Sequence, residues 1–350
     1  MHEFTGTSYL ALQRDPEYLD LVREGIALYG VNNPISRLSD EDFSELDRAE
    51  GIIADELGCE AACLLSSGYL AGTAVQNALF GRGRREGKLL VWAKNHHPCL
   101  RNEQADREVQ ISEDAGPTMA EMSETLNRTG WYAFFNSVNS FSGQSEHAAL
   151  SQVARNADAC VIDISHSMFL WDHRPLLKNP GGRIVFAGSL GKASAFPAGF
   201  LAGDKETIKF LRQRPEYTAG SCPARCVAFA FNRSGSLRAE RRTRLTALMT
   251  EFEKQAEIER DALFPVYNLG VDCKERYAEA LQAGIKLSFL PYPTANSASH
   301  LRLVMNAASK ADSIKLVLTL IQSWNYRFPK RIGYADEWTV RDPSHCPQTH

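Results

Sequence analysis

Long apolar runs are missing from this chain of 350 residues; no stretch approaches the ~20 consecutive apolar residues of a membrane-spanning helix. Excess charge of either sign is missing as well, with 39 Lys and Arg against 42 Asp and Glu for a net charge of −3. Nucleic-acid binders and polybasic membrane-surface proteins depend on cationic excess, so neither class is expected. The opening Met1-His2-Glu3-Phe4-Thr5-Gly6 has no basic segment followed by an apolar stretch, so it does not read as a secretion signal, and the expectation is a cytoplasmic protein. Cysteine is sparse: eight residues, at 59, 63, 99, 160, 222, 226, 273 and 346, fall far short of a disulfide scaffold. Cys59/Cys63 and Cys222/Cys226 have i, i+4 spacing, which predicts each pair on one helix face. Zinc modules usually pair cysteines across two-residue spacers, so buried thiols are the better reading and no metal is expected. What remains, 44% apolar and 23% charged residues, is ordinary globular composition, with enough chain for one large domain or two unequal ones.

The first two hundred residues alternate between strand and helix patterns. A helix is predicted to start at Ser39-Asp40-Glu41-Asp42, acidic where the dipole favours anions, and to end at Gly58, with Phe43, Leu46, Ile53 and Leu57 at helical spacing. Strand-like runs follow at Leu89–Ala93, Val109–Ser112, Trp131–Val138, Ala159–Ser165, Arg183–Leu190 and Phe200–Gly203. Helical patterns intervene around Gly68–Phe80, Pro117–Arg128 and Glu146–Arg155. This alternation predicts an α/β fold with a mostly parallel sheet. Beyond residue 215 two helices are expected at Pro223–Asn232 and Arg238–Leu263, separated by Arg233–Ser236. A helix near Lys274–Gln282, a strand at Leu301–Asn306 and a helix from Ser309 to Trp324 complete a smaller α+β unit. The tail from Phe328 has no clear period.

Four segments could carry chemistry. In Ile184–Ala193 an apolar strand runs into a small polar turn ending in Lys192. Such a lysine can be desolvated and form a Schiff base, or can simply face solvent. In Ala159–Ser167 another apolar strand ends in Asp163, with His166 three residues on. A carboxylate there needs a cation, and a pyridinium nitrogen is one; a structural Asp–His contact is the alternative. Leu64-Leu65-Ser66-Ser67-Gly68-Tyr69 puts hydroxyls and glycine at a helix start, which suits a phosphate or a plain N-cap. Asn95-His96-His97-Pro98 follows a strand and could lay an imidazole over an aromatic ring, or form a surface loop.

Taken in order, these segments resemble the α-oxoamine synthases, pyridoxal 5'-phosphate (PLP) enzymes of fold type I. Phe4-Thr5-Gly6-Thr7-Ser8-Tyr9-Leu10-Ala11-Leu12 is similar to the family's F-x-S-N-D-Y-L-G-L, and Tyr29-Gly30 with Ser36-Arg37 to its Y-G…G-S-R stretch. Leu65–Ala71 resembles the phosphate cup, Asn95-His96 the N-H whose histidine stacks on the cofactor ring, Asp163–Ser167 the D-E-A-H-S segment, and Ser189–Ala193 the T-x-S-K-A segment. The resemblance implies Lys192 as the Schiff-base lysine, Asp163 on the pyridine nitrogen and His166 near the phenolic oxygen. It further implies Ser67, Gly68, Tyr69 and Ser189 around the phosphate, Thr218 reaching it from a second subunit, and Arg302 on the substrate carboxylate. The implied fold is the type I architecture with a smaller C-terminal α+β domain: an N-terminal arm over 1–25, a large cofactor domain over 26–215, a small domain over 216–326 and a tail over 327–350.

The implied reaction is acyl transfer, in which a small amino acid condenses with an acyl-CoA and loses carbon dioxide to give an α-amino ketone. The motifs sit nearest the 8-amino-7-oxononanoate synthase branch, and family members are homodimers with sites at the interface. Departures from the pattern keep open a class I/II aminotransferase, or another fold type I enzyme acting on an amino acid without acyl-CoA. Asn136 stands where the family has glutamate, Ile164 replaces the glutamate of D-E-A-H-S, Gly30–Ile35 is poor in glycine, and the chain begins almost at the first motif.

Overall fold

The computed structural model of the protein describes residues 1–32, 34–93, 98–100, 108–111, 130–139, 147–259, 263–292 and 295–328. Its elements in chain order begin with β1 (His2–Phe4), α1 (Pro16–Tyr29), α2 (Ser44–Leu57), β2 (Ala61–Leu65), α3 (Gly68–Arg85), β3 (Leu89–Ala93), β4 (Glu108–Ile111) and β5 (Trp131–Asn136). Next come α4 (His147–Asn156), β6 (Ala159–Asp163), β7 (Arg183–Ser189), β8 (Gly199–Gly203), α5 (Lys205–Leu211), α6 (Pro215–Thr218) and α7 (Arg225–Arg233). The last are α8 (Gly235–Gln255), β9 (Val266–Val271), α9 (Lys274–Gln282), β10 (Ile285–Pro291), β11 (Ser299–Val304) and α10 (Ala311–Ser323).

A seven-stranded sheet runs in the order β2-β8-β7-β6-β5-β3-β4. The pairs from β4 to β7 are parallel, whereas β8 lies antiparallel to both of its neighbours, β7 and β2. The sheet is thus mostly parallel. Strands β6 and β8 are buried at every position, as expected where helices cover both faces of a sheet. One face carries Leu64, Val91, Phe135, Ile162 and Phe186 against Leu46 and Ile53 of α2. The alternate positions Leu65, Trp92, Phe134, Val161 and Val185 meet Ala71, Val75 and Leu79 of α3 on the other. The period-two alternation of strands produces this split. A second, four-stranded sheet has the order β1-β10-β11-β9. In it β1 pairs parallel with β10, His2 opposite Ile285, so the first residues of the chain join a sheet built near its end. Among the described residues no helix is long and apolar enough to cross a membrane.

Several boundaries differ from expectation. α2 begins at Ser44, not Ser39: residues 39–42 offer nothing apolar to the core, and Asp42 instead accepts the Ser44 N–H at 2.8 Å. Gly58 ends the helix as expected, at φ 69°. The predicted gap between the two helices past residue 223 shrinks to Ser234. There the Arg238 guanidinium donates to the Phe231 carbonyl at 2.6 Å, so the joint is a capped corner rather than a loop. The strand expected at Leu301–Asn306 is Ser299–Val304. The cysteine pairs are not helix-face pairs. Cys59 follows the Gly58 cap while Cys63 lies in β2, and Cys222 precedes the helix that contains Cys226. Cys63, Cys222 and Cys226 are buried free thiols, and Cys59 is half-buried. The helix expected at Pro117–Arg128 lies outside the described residues.

Candidate active site

Parallel strands β5, β6 and β7 end side by side, with Asn136 opposite Asp163 and Asp163 opposite Ala187. The crevice beyond the carboxyl ends of such strands is where α/β sheets take ligands. Asp163, the last residue of β6, is buried with 7% of its surface exposed. The Ser165 N–H donates to its Oδ1 at 2.7 Å, and the Cys99 thiol donates to Oδ2 at 3.6 Å. Among the described residues no side-chain cation lies within ion-pair distance of Asp163. Lys192 follows the end of β7 by three residues and keeps part of its surface open. Burial of its amine pushes it below the ordinary lysine range, against the opposing pull of Asp163 and Cys99. An amine shifted this way carries more of the neutral, nucleophilic form at neutral pH.

The N-terminus of α3 abuts the same strand ends. Ser67 caps the helix by accepting the Leu70 N–H at 3.1 Å, so the helix start presents amides not used within the helix. A Cβ built on Gly68 would lie 2.6 Å from Ser189 Cβ, so only glycine lets the helix start approach the end of β7 this closely. Ser189 is locked in turn: its N–H donates to Ser165 Oγ at 3.0 Å, and its hydroxyl accepts the Gly191 N–H at 3.2 Å. Amides, hydroxyls and a positive helix end at one point suit an anion such as a phosphate.

The N-terminal residues and the small sheet close on this crevice from the other side. Tyr9 is buried, and its hydroxyl lies 2.7 Å from His166 Nδ1. Its ring meets Phe264 edge-on at 5.6 Å. The Ala307 N–H donates to the Tyr9 carbonyl at 2.8 Å, tying this segment to the turn after β11. Arg302 stands on β11 at a register shift and is buried, donating to Ser288 Oγ at 3.2 Å. Burial lowers its pKa, with Tyr9 and Tyr292 acting the other way. The Tyr292 phenol is pushed up by burial and further by Asp163 and Cys99, while Arg302 opposes. Tyr292 therefore sits within electrostatic reach of both the strand-end carboxylate and the arginine.

Of the residues singled out from sequence, Ser67, Gly68, Asp163, His166, Ser189 and Lys192 gather at the strand ends, and Arg302 acts electrostatically on Tyr9, whose hydroxyl meets His166, and on Tyr292. Tyr69, next to Gly68, is 61% exposed. Thr218 ends the short helix α6; its hydroxyl donates to the Arg214 carbonyl at 3.2 Å, and its own carbonyl accepts from Ser36 Oγ at 3.3 Å. None of its described hydrogen bonds joins it to Ser67, Gly68 or Ser189. His96 lies outside the described residues. Sequence reasoning passed over three members of the cluster. Tyr9 sits inside the opening motif, and Cys99 lies three positions after His96; Tyr292 had no local signal at all.

The fold has known counterparts. A serine palmitoyltransferase from S. paucimobilis, solved with bound PLP–myriocin, is similar over 92% of this chain and 86% of its own, with a TM-score of 0.75 and 17% identity. An 8-amino-7-oxononanoate synthase from Francisella tularensis is similar over 93% and 98%, with a TM-score of 0.72 and 18% identity. These likenesses show that the chain shares the fold of those enzymes, the type I architecture. No family model matches the chain. In sequence it is 26% identical to the 8-amino-7-oxononanoate synthase of Janthinobacterium sp. (strain Marseille), over 92% of this chain and 88% of that protein. In motif order, in fold and in sequence the chain is therefore similar to enzymes of the α-oxoamine synthase type.

Proposed function

We propose that the protein binds PLP at Lys192 and catalyses decarboxylative condensation of a small amino acid with an acyl-CoA, in the manner of an 8-amino-7-oxononanoate synthase. The observation that carries the proposal is the meeting of a desolvated lysine, a buried carboxylate and a glycine-lined helix start at adjacent strand ends. The residues fit the cofactor at each of its functional groups. The amides at the start of α3, with Ser67 and Ser189, receive the phosphate. The carboxylate of Asp163, hydrogen-bonded on both oxygens and lacking an ion-pair partner among the described residues, holds the proton on the pyridine nitrogen. When bound, the cofactor supplies an electron sink for negative charge at the substrate α-carbon.

The chain's own residues supply the rest. Arg302 binds the substrate carboxylate, for which a planar guanidinium offers a two-point contact. Lys192 Nζ, whose neutral form burial favours, moves the α-proton. His166 donates to the phenolic oxygen or to the oxyanion that forms as the acyl group is attacked. A second copy of this chain is the partner we assign, as sites at a homodimer interface are what the resemblance implies.

Borohydride reduction of the purified chain with PLP, followed by peptide mass analysis, tests the assignment. The cofactor mass is expected on the Lys192 peptide and on no peptide of Lys192→Ala. Release of carbon dioxide and free CoA thiol is expected only with an amino acid and an acyl-CoA together. Conversion of PLP to its amine form by an amino acid alone would replace the synthase reading with an aminotransferase, the reading to which Asn136 gives weight.

A further inference from the structure

The Tyr9 side chain comes from the opening segment, whereas His166 follows β6, 157 residues away. The Tyr9 ring is 1% exposed, and its hydroxyl has one hydrogen-bond partner among the described residues, His166 Nδ1 at 2.7 Å. A neutral imidazole carries its proton on one nitrogen, and the hydrogen bond made by the other decides which. If Nδ1 carried the proton it would donate to the phenol oxygen, and the phenolic proton would be left without an acceptor among the described residues, in a buried place. An unmade buried hydrogen bond is the costlier arrangement. The phenol therefore donates, Nδ1 accepts, and the imidazole proton resides on Nε2.

We propose that Tyr9 is the positioning residue of His166, holding its imidazole as the Nε2–H tautomer. The aromatic surroundings reinforce the arrangement. Phe264 packs edge-on against both rings, at 5.6 Å from Tyr9 and 6.5 Å from His166, which fixes their mutual angle. The Arg302 guanidinium of β11 acts electrostatically on Tyr9 from the small sheet. Docking of the N-terminal segment, through β1 on β10 and the Tyr9 carbonyl on Ala307, thus sets the proton donor of a residue in the turn that follows β6 of the large sheet. The functional half of this proposal rests on His166 acting at the PLP site; the tautomer itself does not.

The test uses the full chain, without PLP, labelled with 15N-histidine, and reads the tautomer from long-range proton–nitrogen correlations. The chain has nine histidines, so the His166 signals are assigned as those missing from His166→Gln. The wild type is expected to show a protonated Nε2 and an unprotonated Nδ1 at His166. In Tyr9→Phe, which keeps the ring against Phe264, the tautomer ratio is expected to shift about tenfold toward Nδ1–H, the worth of one buried hydrogen bond. A wild-type Nδ1–H signal, or a ratio unmoved in Tyr9→Phe, would overturn the proposal. Because no cofactor is present, neither result depends on the borohydride experiment, and the two readings fail separately.

Discussion

Two buried carboxylates, Glu50 and Asp163, are 3% and 7% exposed, and they are satisfied in opposite ways. Glu50 of α2 faces Arg37 Nη2 at 3.0 Å and Arg212 Nη2 at 2.5 Å, and it accepts the Leu64 N–H of β2 at 2.9 Å. Burial pushes its carboxyl up against the pull of both guanidiniums, while Glu50, Tyr217 and Asp47 hold Arg37 above its usual range. Asp163 has an amide and a thiol, and the lysine that acts on it electrostatically, Lys192, is one whose charged form burial disfavours. The first carboxylate is neutralised within the chain and binds α2 to the edge of the sheet. The second is left with a charge for something else to meet. Buried charge completed internally is architecture; buried charge left incomplete at a strand end is the mark of a ligand site.

Exchanging each carboxylate for its amide separates the two roles. Asp163→Asn is expected to cut turnover by roughly 10²–10³-fold, the scale of losing a preorganised charge at a reacting centre. Melting of the PLP-free chain should hold steady or rise, since the substitution removes an unneutralised buried charge. Glu50→Gln should do the reverse. It removes the buried charge that Arg37 and Arg212 share, leaving Arg37 with Asp47 at 3.1 Å as its ion-pair partner, and is expected to cost about 3 kcal/mol of stability by denaturant titration. Turnover of the fraction that stays folded should change little. A large stability loss in Asp163→Asn, or none in Glu50→Gln, would erase the distinction.

The pH dependence of stability sharpens the same contrast. The Lys192 amine lies lower in the folded chain than in the unfolded one. Between those two values the unfolded chain binds a proton that the folded chain does not, so stability rises with pH there and is lost as pH falls. Lys192→Met is expected to raise the melting temperature of the PLP-free chain at neutral pH and to flatten its rise toward pH 10, the ordinary lysine range. Parallel wild-type and variant curves would show that Lys192 is not held in its neutral form.

The large sheet was legible in sequence because its strands are continuous apolar runs bounded by polar turns. Leu89–Ala93 falls where it was expected, and the runs ending at Asp163 and Ser189 are correct to within two residues. Asp163 and Lys192 were legible with them, as ionisable residues at the ends of such runs. The small sheet was harder. Its strands β9 and β10 carry Asn268, Lys286 and Ser288 among apolar residues, which blurs the alternation. Strand β1 has three residues and finds its partner only at Ile285. Contacts such as Tyr9 with His166 and Cys99 with Asp163 depend on chain closure, which no local window contains.

The smallest expected effect concerns the turn that carries Tyr9. Ala11 adopts φ 58° and ψ 25°, a left-handed conformation, where the resembling motif has glycine. The Cβ of alanine costs roughly 1–2 kcal/mol in this region, whereas glycine gives back about 0.5–1 kcal/mol through the entropy of the unfolded chain. Ala11→Gly should therefore stabilise the protein by about 0.5–1 kcal/mol, read as a shift in denaturant midpoint at constant slope. Because Tyr9 is anchored independently, through its carbonyl on Ala307 and its hydroxyl on His166, the His166 tautomer should not move in this variant. A gain in stability with an unchanged tautomer would place the strain in the backbone of the turn alone. A shifted tautomer would show that the Ala11 turn, and not the anchors, sets the phenol.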